Sequence, residues 1–292
     1  MRVLITGGQG QLAADLRQVL SDHELHAPSR AELDITDRTQ VAVAFDEFSP
    51  QLVINTAAYH NVDQCESEPE LSFLVNAAAP QRLAALCTKC DAKLVHFSTD
   101  YVFAGSTNRP YREEDPANPI NVYGASKLAG EMTIRSTLPN HLIIRTTGLY
   151  GWRGTARQRG NFPEKMIRLA TTRDVVTVVQ DQVLTPSFTL DVAEVVRKLV
   201  EIGATGTIHV TNGGQCSWYE FTGELFRLMK LPARLEPISQ EQWAMPARRP
   251  PYSALAHRAM QRLGIDEPRS WQDALAAYVA GRDMAARGQV VA

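Results

Sequence analysis

Short, nearly unbroken apolar runs alternate with longer amphipathic ones through the first half of the chain. Residues 2–6, 24–27, 52–55, 93–98 and 141–145 read as strands. Between them, 11–20, 37–48, 70–87 and 122–138 carry helical spacing, with Asp37 near the start of its helix. Strands that are apolar on both faces and separated by helices predict a parallel sheet covered on both sides, with right-handed crossovers. The expected class is α/β, doubly wound. Ligands of such sheets bind beyond the carboxyl ends of the strands.

The second half is less regular. Residues 177–181 and 207–211 look like short strands, whereas 162–169, 191–201, 218–228 and 253–263 look helical. Pro232, Pro237, Pro246, Pro250 and Pro251 punctuate the stretch before the last of these. Some of these elements are expected to extend the sheet and the rest to build a smaller lobe over its edge. Trp218 and Trp271 have helical neighbours and read as core residues. No internal repeat is visible.

Composition narrows the function. With 30 basic against 32 acidic residues, the chain has none of the basic excess of nucleic-acid binders. No apolar run is long enough to cross a bilayer, and the N-terminus reads as a buried strand rather than a signal peptide. The expectation is a cytoplasmic protein with no nucleic-acid and no membrane partner. Four cysteines in a chain of 292 residues do not make a disulfide scaffold. Cys87 and Cys90 form a CxxC pair at the end of a helix, and no second pair completes a zinc site.

The first chemical signal is a glycine-rich turn. Gly7, Gly10 and Ala13 stand in GxxGxxA phase between the first strand and the first helix. Glycine permits the tight turn and the close approach of a diphosphate, and a small residue lets helix and strand pack. The free N–H groups of the helix start favour the anion. No Lys-Ser/Thr pair follows, so this is not an ATP-type loop. The sheet is accordingly Rossmann-type. Residues 1–150 are expected to form an NAD(P)-binding domain. Residues 151–292 are expected to be mainly a substrate-binding lobe, with segments at about 170–215 returning to the sheet. The second strand ends in Pro28-Ser29-Arg30 without an acid, and Arg30 suits the phosphate of NADP. Glu32 and Asp34 lie close by, so NADPH is favoured and NADH stays open. Small Ala57 and Ala58 beside Tyr59 would let a cofactor pass near the backbone. Asn76 would anchor either a neighbouring strand or the cofactor loop.

The second signal is catalytic. Thr99 stands at a strand end, and Tyr123 and Lys127 share one face at a helix start. Hydride addition to a carbonyl leaves negative charge on oxygen, which must gain a proton. Tyr123 would supply it, an ammonium at Lys127 would bring the phenol toward useful range, and Thr99 would orient the carbonyl.

Longer motifs extend the reading across nearly the whole chain. LDITD (33–37), VINTAAYHNVDQCE (53–66), VNAAAPQRLA (75–84), STDYVFAG (98–105) and PYREEDPANPINVYGASKLAGE (110–131) are distinctive. So are GNFPEKMIRLA (160–170), VVQDQ (178–182), TPSFTLDVA (185–193), SWYEF (217–221) and ARRPPYSAL (247–255). With these the chain resembles the dTDP-4-dehydrorhamnose reductase family of extended short-chain dehydrogenase/reductases. The resemblance implies Thr99, Tyr123 and Lys127 as the catalytic trio. It implies Gly7, Gly10, Gln11 and Leu12 at the diphosphate, Asp34 and Ile35 at the adenine, and Ala57, Ala58 and Tyr59 along the cofactor path. On the sugar side it implies Asn161, Phe162 and Met166, with Tyr101, Gln182 and Arg249 as further candidates. The implied activity is reduction at C4 of dTDP-4-dehydro-L-rhamnose to dTDP-L-rhamnose with NADPH or NADH. Some relatives form magnesium-dependent homodimers. No complete metal set maps onto this chain, so no metal residue is assigned and any magnesium would be structural.

Two departures bear on the substrate. The family typically has a tryptophan where this chain has Gly148, and Trp152 is a candidate to fill that space. The loop 152–160 carries Arg153, Arg157 and Arg159, which are either diphosphate contacts or solvated charge. Three other readings therefore stand beside the first. One is a sister reductase acting on another nucleotide-linked 4-keto-6-deoxyhexose. Another is a dehydratase or epimerase, against which Tyr101 after Asp100 argues. The third is a non-catalytic cofactor-binding module like the regulatory subunit of methionine adenosyltransferase.

Overall fold

The computed structural model describes residues 1–153 and 160–286. Strand β1 (Arg2–Thr6) runs into α1 (Gln11–Val19), followed by β2 (Glu24–His26), α2 (Arg38–Phe48) and β3 (Leu52–Asn55). Then come α3 (Val62–Ser67), α4 (Pro69–Phe73), a π-helical turn (Leu74–Ala78), α5 (Ala79–Cys90) and β4 (Lys93–Thr99). A 3-10 turn (Asp100–Val102), α6 (Val122–Thr137) and β5 (His141–Thr146) complete the first half. One more strand, from the second half, joins them. The sheet has six strands, all parallel, in the order β2-β1-β3-β4-β5 and then Gly206–His209.

Alternation along each strand loads both faces. Val3, Ile5, Ile54, Val95 and Ile144 pack with Leu12 and Leu16 of α1 and with Val192, Val196 and Leu199. Leu4, Val53, Leu94 and Ile143 pack on the other side with Val41 and Phe45 of α2, Leu83 and Cys87 of α5, and Ile134 of α6. Each fully buried aliphatic side chain contributes roughly 1.5–3 kcal/mol, so the two-sided sheet is the main source of stability. Cys87 is buried and Cys90 exposed, both as free thiols.

The second half adds β6 (Leu149–Tyr150), α7 (Phe162–Thr172), β7 (Val175–Val179), β8 (Val183–Leu184), β9 (Ser187–Phe188), α8 (Thr189–Glu201) and β10 (Gly206–His209). It ends with β11 (Cys216–Ser217), α9 (Trp218–Met229), β12 (Arg234–Ile238), α10 (Gln240–Trp243), α11 (Arg258–Arg262) and α12 (Trp271–Ala286). Three two-stranded pairs, β11-β8, β12-β7 and β6-β9, frame a lobe around Tyr150, Phe188, Phe221, Trp271 and Tyr278. Trp271 is buried there and Trp218 packs against the same cluster. Among the described residues no helix is long and apolar enough to cross a membrane.

Three elements differ from the sequence pattern. Residues 70–87 are not one helix, because a π-helical turn interrupts them at Leu74–Ala78. Pro80, in the first turn of α5, has no N–H to give the carbonyl four residues back, which releases the backbone of Asn76. Strand β7 pairs with β12 rather than with the main sheet, so among the described residues of the second half only β10 extends it. Of 253–263 only Arg258–Arg262 is helical. Upstream of that helix the backbone stays extended, with bridges from Tyr111 to Leu255 and from Val183 to Tyr252.

Candidate active site

The carboxyl ends of β1, β3, β4 and β5 converge on one cleft. At the end of β4 the Thr99 hydroxyl accepts from the Tyr101 N–H at 3.2 Å and donates to Asp100 Oδ1 at 3.0 Å. The start of α6 is set by Asn121. Its Oδ1 accepts from Gly124 N–H at 2.7 Å, and its Nδ2 donates to the Arg248 carbonyl at 2.8 Å. Gly124 allows close approach: a Cβ there would stand 2.1 Å from the Tyr101 carbonyl oxygen. Tyr123 is thereby brought to the end of β4, where its hydroxyl lies near that of Thr99 and its ring lies 5.9 Å from that of Tyr101.

Burial pushes the Tyr123 phenol above its ordinary range, and the Thr99 hydroxyl opposes this. Burial also drives Lys127 down to about 8. The Lys127 Nζ donates to the Phe97 carbonyl at 2.5 Å and lies 3.3 Å from His96 Nε2. Its ammonium is therefore engaged with β4, one turn along the helix from the phenol. Asp100 is buried, and desolvation raises its carboxyl to about 6 against the bond from Thr99, while its Oδ2 has no partner.

The glycine turn is tight and closely packed. Gly7 has φ 71°, and a Cβ there would crowd Ala57 N and Thr56 Oγ1 at 3.0 Å. Gly10 is the N-cap of α1 and brings no capping side chain, so the helix start is left to an incoming anion. Gln11 reaches the Leu149 carbonyl at 3.2 Å, and Leu12 is buried in the core. Ala57 N–H donates to Asn55 Oδ1, with Ala58 next to it on the same half-buried loop. Asn76, freed by the π-helical turn, holds Tyr59 through both backbone groups at 2.9 Å and donates to Ser126 Oγ at 3.0 Å. It anchors the Ala57–Tyr59 loop to α6. Ile35 packs with Val75, Ala79, Ala57 and Tyr59. Arg30 is exposed beyond β2 and pairs with Asp34 at 3.3 Å.

On the lobe side, Asn161 caps α7 and donates to the Gly151 carbonyl at 2.7 Å. Phe162 and Trp218 lie 4.1 Å apart, ring to ring. Gln182 donates to Gln240 at 2.7 Å, and Asp181 braces the Gln240 N–H. Arg249 ties the lobe to α3 through Asp63 at 2.8 Å. Trp152 does not fill the space at Gly148. It is 8% exposed in the lobe core, 4.7 Å from Phe188, whereas Gly148 is walled by Leu184, Pro186 and the Trp218 ring. Arg153 pairs with buried Asp15 at 2.8 Å; Arg157 and Arg159 lie outside the described residues.

Residues 1–284 match the family model described as RmlD substrate binding domain. The chain belongs to that family. A dTDP-4-dehydrorhamnose reductase of Streptomyces griseus is 41% identical over 286 residues, covering 94% of this chain and 91% of that one. A dTDP-4-keto-6-deoxy-D-glucose reductase of Streptomyces niveus is 38% identical over 278 residues, covering 94% and 95%. The crystal structure of a dTDP-4-dehydrorhamnose reductase from Bacillus anthracis in complex with NADP superposes with a TM-score of 0.91 at 36% identity, covering 96% of this chain and 98% of that one. The family is one of extended short-chain oxidoreductases, as the motifs indicated.

Sequence reasoning passed over three residues near the RmlD-type site. His96 is a lone histidine in an apolar strand, Asp63 meets Arg249 across 186 residues of chain, and Trp218 borders Gly148. Trp218, in its SWYEF motif, and Asp63, within VINTAAYHNVDQCE, left a trace in the sequence, and His96 left none. Among the described residues no group of three or more His, Cys, Asp or Glu side chains is gathered to hold a metal.

Proposed function

We propose that this chain reduces the C4 ketone of dTDP-4-dehydro-L-rhamnose to dTDP-L-rhamnose, with NADPH as the preferred donor. The observation that carries the reading is the convergence of Thr99, Tyr123 and Lys127 on the strand ends that also present the Gly7–Gly10 turn. The uncapped start of α1 and the close packing at Gly7 fit a dinucleotide diphosphate. When bound, the nicotinamide supplies hydride to the carbonyl carbon.

The chain's own residues manage the proton. Tyr123 keeps its proton at neutral pH, because burial favours the uncharged phenol, and delivers it to the nascent alkoxide. Thr99 fixes the phenol's direction from the end of β4. Lys127, with a nitrogen that titrates at about 8, exchanges protons near neutrality and returns one to the tyrosinate. Gln11, Leu12 and the Ala57–Tyr59 loop would hold the dinucleotide, and Arg30 would meet the 2′-phosphate of NADPH. Residues 1–150 would carry the cofactor and Tyr101, and the lobe would bring Asn161, Phe162, Gln182 and Arg249 toward the nucleotide-sugar.

The test is NADPH oxidation with purified protein and enzymatically prepared dTDP-4-dehydro-L-rhamnose, followed by product identification. Formation of dTDP-L-rhamnose that depends on Tyr123 supports the reading. Folded, cofactor-binding protein that does not turn over would overturn it.

A second reading rests on Gly148. Without the aromatic side chain typical of the family, the sugar pocket is bounded there by Trp218 and Leu184. This favours another 4-keto-6-deoxyhexose, and the Streptomyces niveus relative is by name a reductase of such a sugar. Comparing kcat/KM on the two dTDP-keto sugars decides between them.

A further inference from the structure

A polar seam crosses the centre of the sheet beneath the cleft. The parallel register sets Thr6 beside Asn55 and Asn55 beside His96. All three side chains are buried. Thr6 Oγ1 donates to Asn55 Oδ1 at 2.6 Å, and Asn55 Nδ2 lies 3.0 Å from His96 Nδ1. His96 Nε2 then faces Lys127 Nζ at 3.3 Å.

The proton order along this seam is determined from one end. The Ala57 backbone N–H also points at Asn55 Oδ1, at 3.2 Å, and a backbone N–H is only a donor. Asn55 must therefore present its oxygen to Ala57 and its NH2 to His96. His96 Nδ1 is consequently the acceptor, and the neutral ring carries its proton on Nε2. That N–H is aimed at the Lys127 nitrogen. An ammonium has no lone pair to receive it, whereas a neutral amine does.

We propose that His96 is a positioning residue for Lys127, its Nε2–H stabilising the neutral amine that remains once Lys127 has given a proton to Tyr123. The step rests on the reductase reading above and balances. As hydride reaches the carbonyl carbon, Tyr123 O–H passes its proton to the carbonyl oxygen. The tyrosinate takes a proton from Lys127, the resulting amine accepts from His96 Nε2–H, and solvent water restores the ammonium. The other groups facing this pair leave the role to His96. Glu131, one turn further along α6 and paired with Arg145 at 2.7 Å and Arg135 at 2.6 Å, favours the ammonium of Lys127, as does the Phe97 carbonyl, so neither can stabilise the neutral amine. Tyr123 lies one turn back, and Asp100 and Cys65 act on Tyr123.

The test uses cofactor-free protein, so it does not depend on turnover. Nitrogen NMR of labelled histidine reads the His96 tautomer, and carbon NMR of labelled lysine follows Lys127, assigned by Lys127→Met. The expected result is an Nε2–H tautomer. In His96→Asn, which keeps an acceptor for Asn55 and loses the Nε2–H, the Lys127 midpoint should rise by about one pH unit. An Nδ1–H tautomer, or an unchanged midpoint in folded His96→Asn, overturns the proposal. If that variant does not fold, the wild-type tautomer decides alone. Absence of reductase turnover with the predicted NMR result would count against the functional reading only.

Discussion

A Cβ built on Gly130 of α6 would stand 2.2 Å from the carbonyl oxygen of Asn76. Pro80 has no N–H to give that carbonyl, and α6 closes over it only because residue 130 has no side chain. The contact seats the Asn76 side chain, which holds the Tyr59 backbone at both ends. Gly130→Ala should cost roughly 1–3 kcal/mol, because the neighbour is backbone and cannot rotate away. Urea unfolding measures it, and a variant as stable as the parent would show that α6 can slide.

Tyr123→Phe removes the proposed proton donor and little else. The ring remains beside Tyr101, so the fold and dinucleotide affinity should be retained. The expected fall in kcat is ~10²–10⁴-fold. Single-turnover kinetics with fluorescence titration of NADPH separates the two effects, and a loss confined to binding would remove Tyr123 from the chemistry.

Arg30→Ala tests cofactor choice. The side chain is exposed and its one ion pair, with Asp34, spans 3.3 Å at the surface, so its loss should leave stability within about 0.5 kcal/mol of the parent. NADPH should bind ~10-fold more weakly while NADH is unaffected. Calorimetric titration of both nucleotides gives the ratio. Equal changes for the two would place the 2′-phosphate elsewhere.

Asp100 provides a pH signature. Its carboxyl rises from an ordinary 3.8 to about 6 on folding, chiefly through desolvation. The folded state therefore keeps a proton that the unfolded state has released, and stability falls as pH rises between those values, by roughly 3 kcal/mol at most. Below pH 4 both states hold the proton and the penalty vanishes. Asp100→Asn should be more stable than the parent above pH 6 and no better near pH 4. Thermal unfolding across that interval would refute the assignment if the difference did not depend on pH.

The sheet was legible because its strands are apolar on both faces, a pattern few other arrangements tolerate. The placement of Thr99 at a strand end and of Tyr123 and Lys127 on the first turns of α6 was legible because strand ends and helical spacing can be read from local pattern. Spacing cannot convey partners supplied from far along the chain. Lys127 looks like a companion for Tyr123 in sequence, yet in space it donates to the Phe97 carbonyl and faces His96. Arg249 looks free for phosphate, yet Asp63 holds it at 2.8 Å. The break within 70–87 turns on a proline that is also compatible with a helix start. The extended backbone before Arg258 depends on pairing with Val183 and Tyr111, which no local pattern encodes.

The last sheet strand, β10, comes from the second half of the chain, as does α8, which covers one face of the sheet beside α1. A ribosome delivering this protein from its N-terminus would expose the glycine turn and Thr99, Tyr123 and Lys127 long before either arrives. In that interval the free edge of β5 and the bare faces of Ile54, Val95 and Ile144 form a sticky, unpaired border. A nascent chain halted at residue 150 should therefore depend on chaperones, even though every proposed catalytic side chain has already been made.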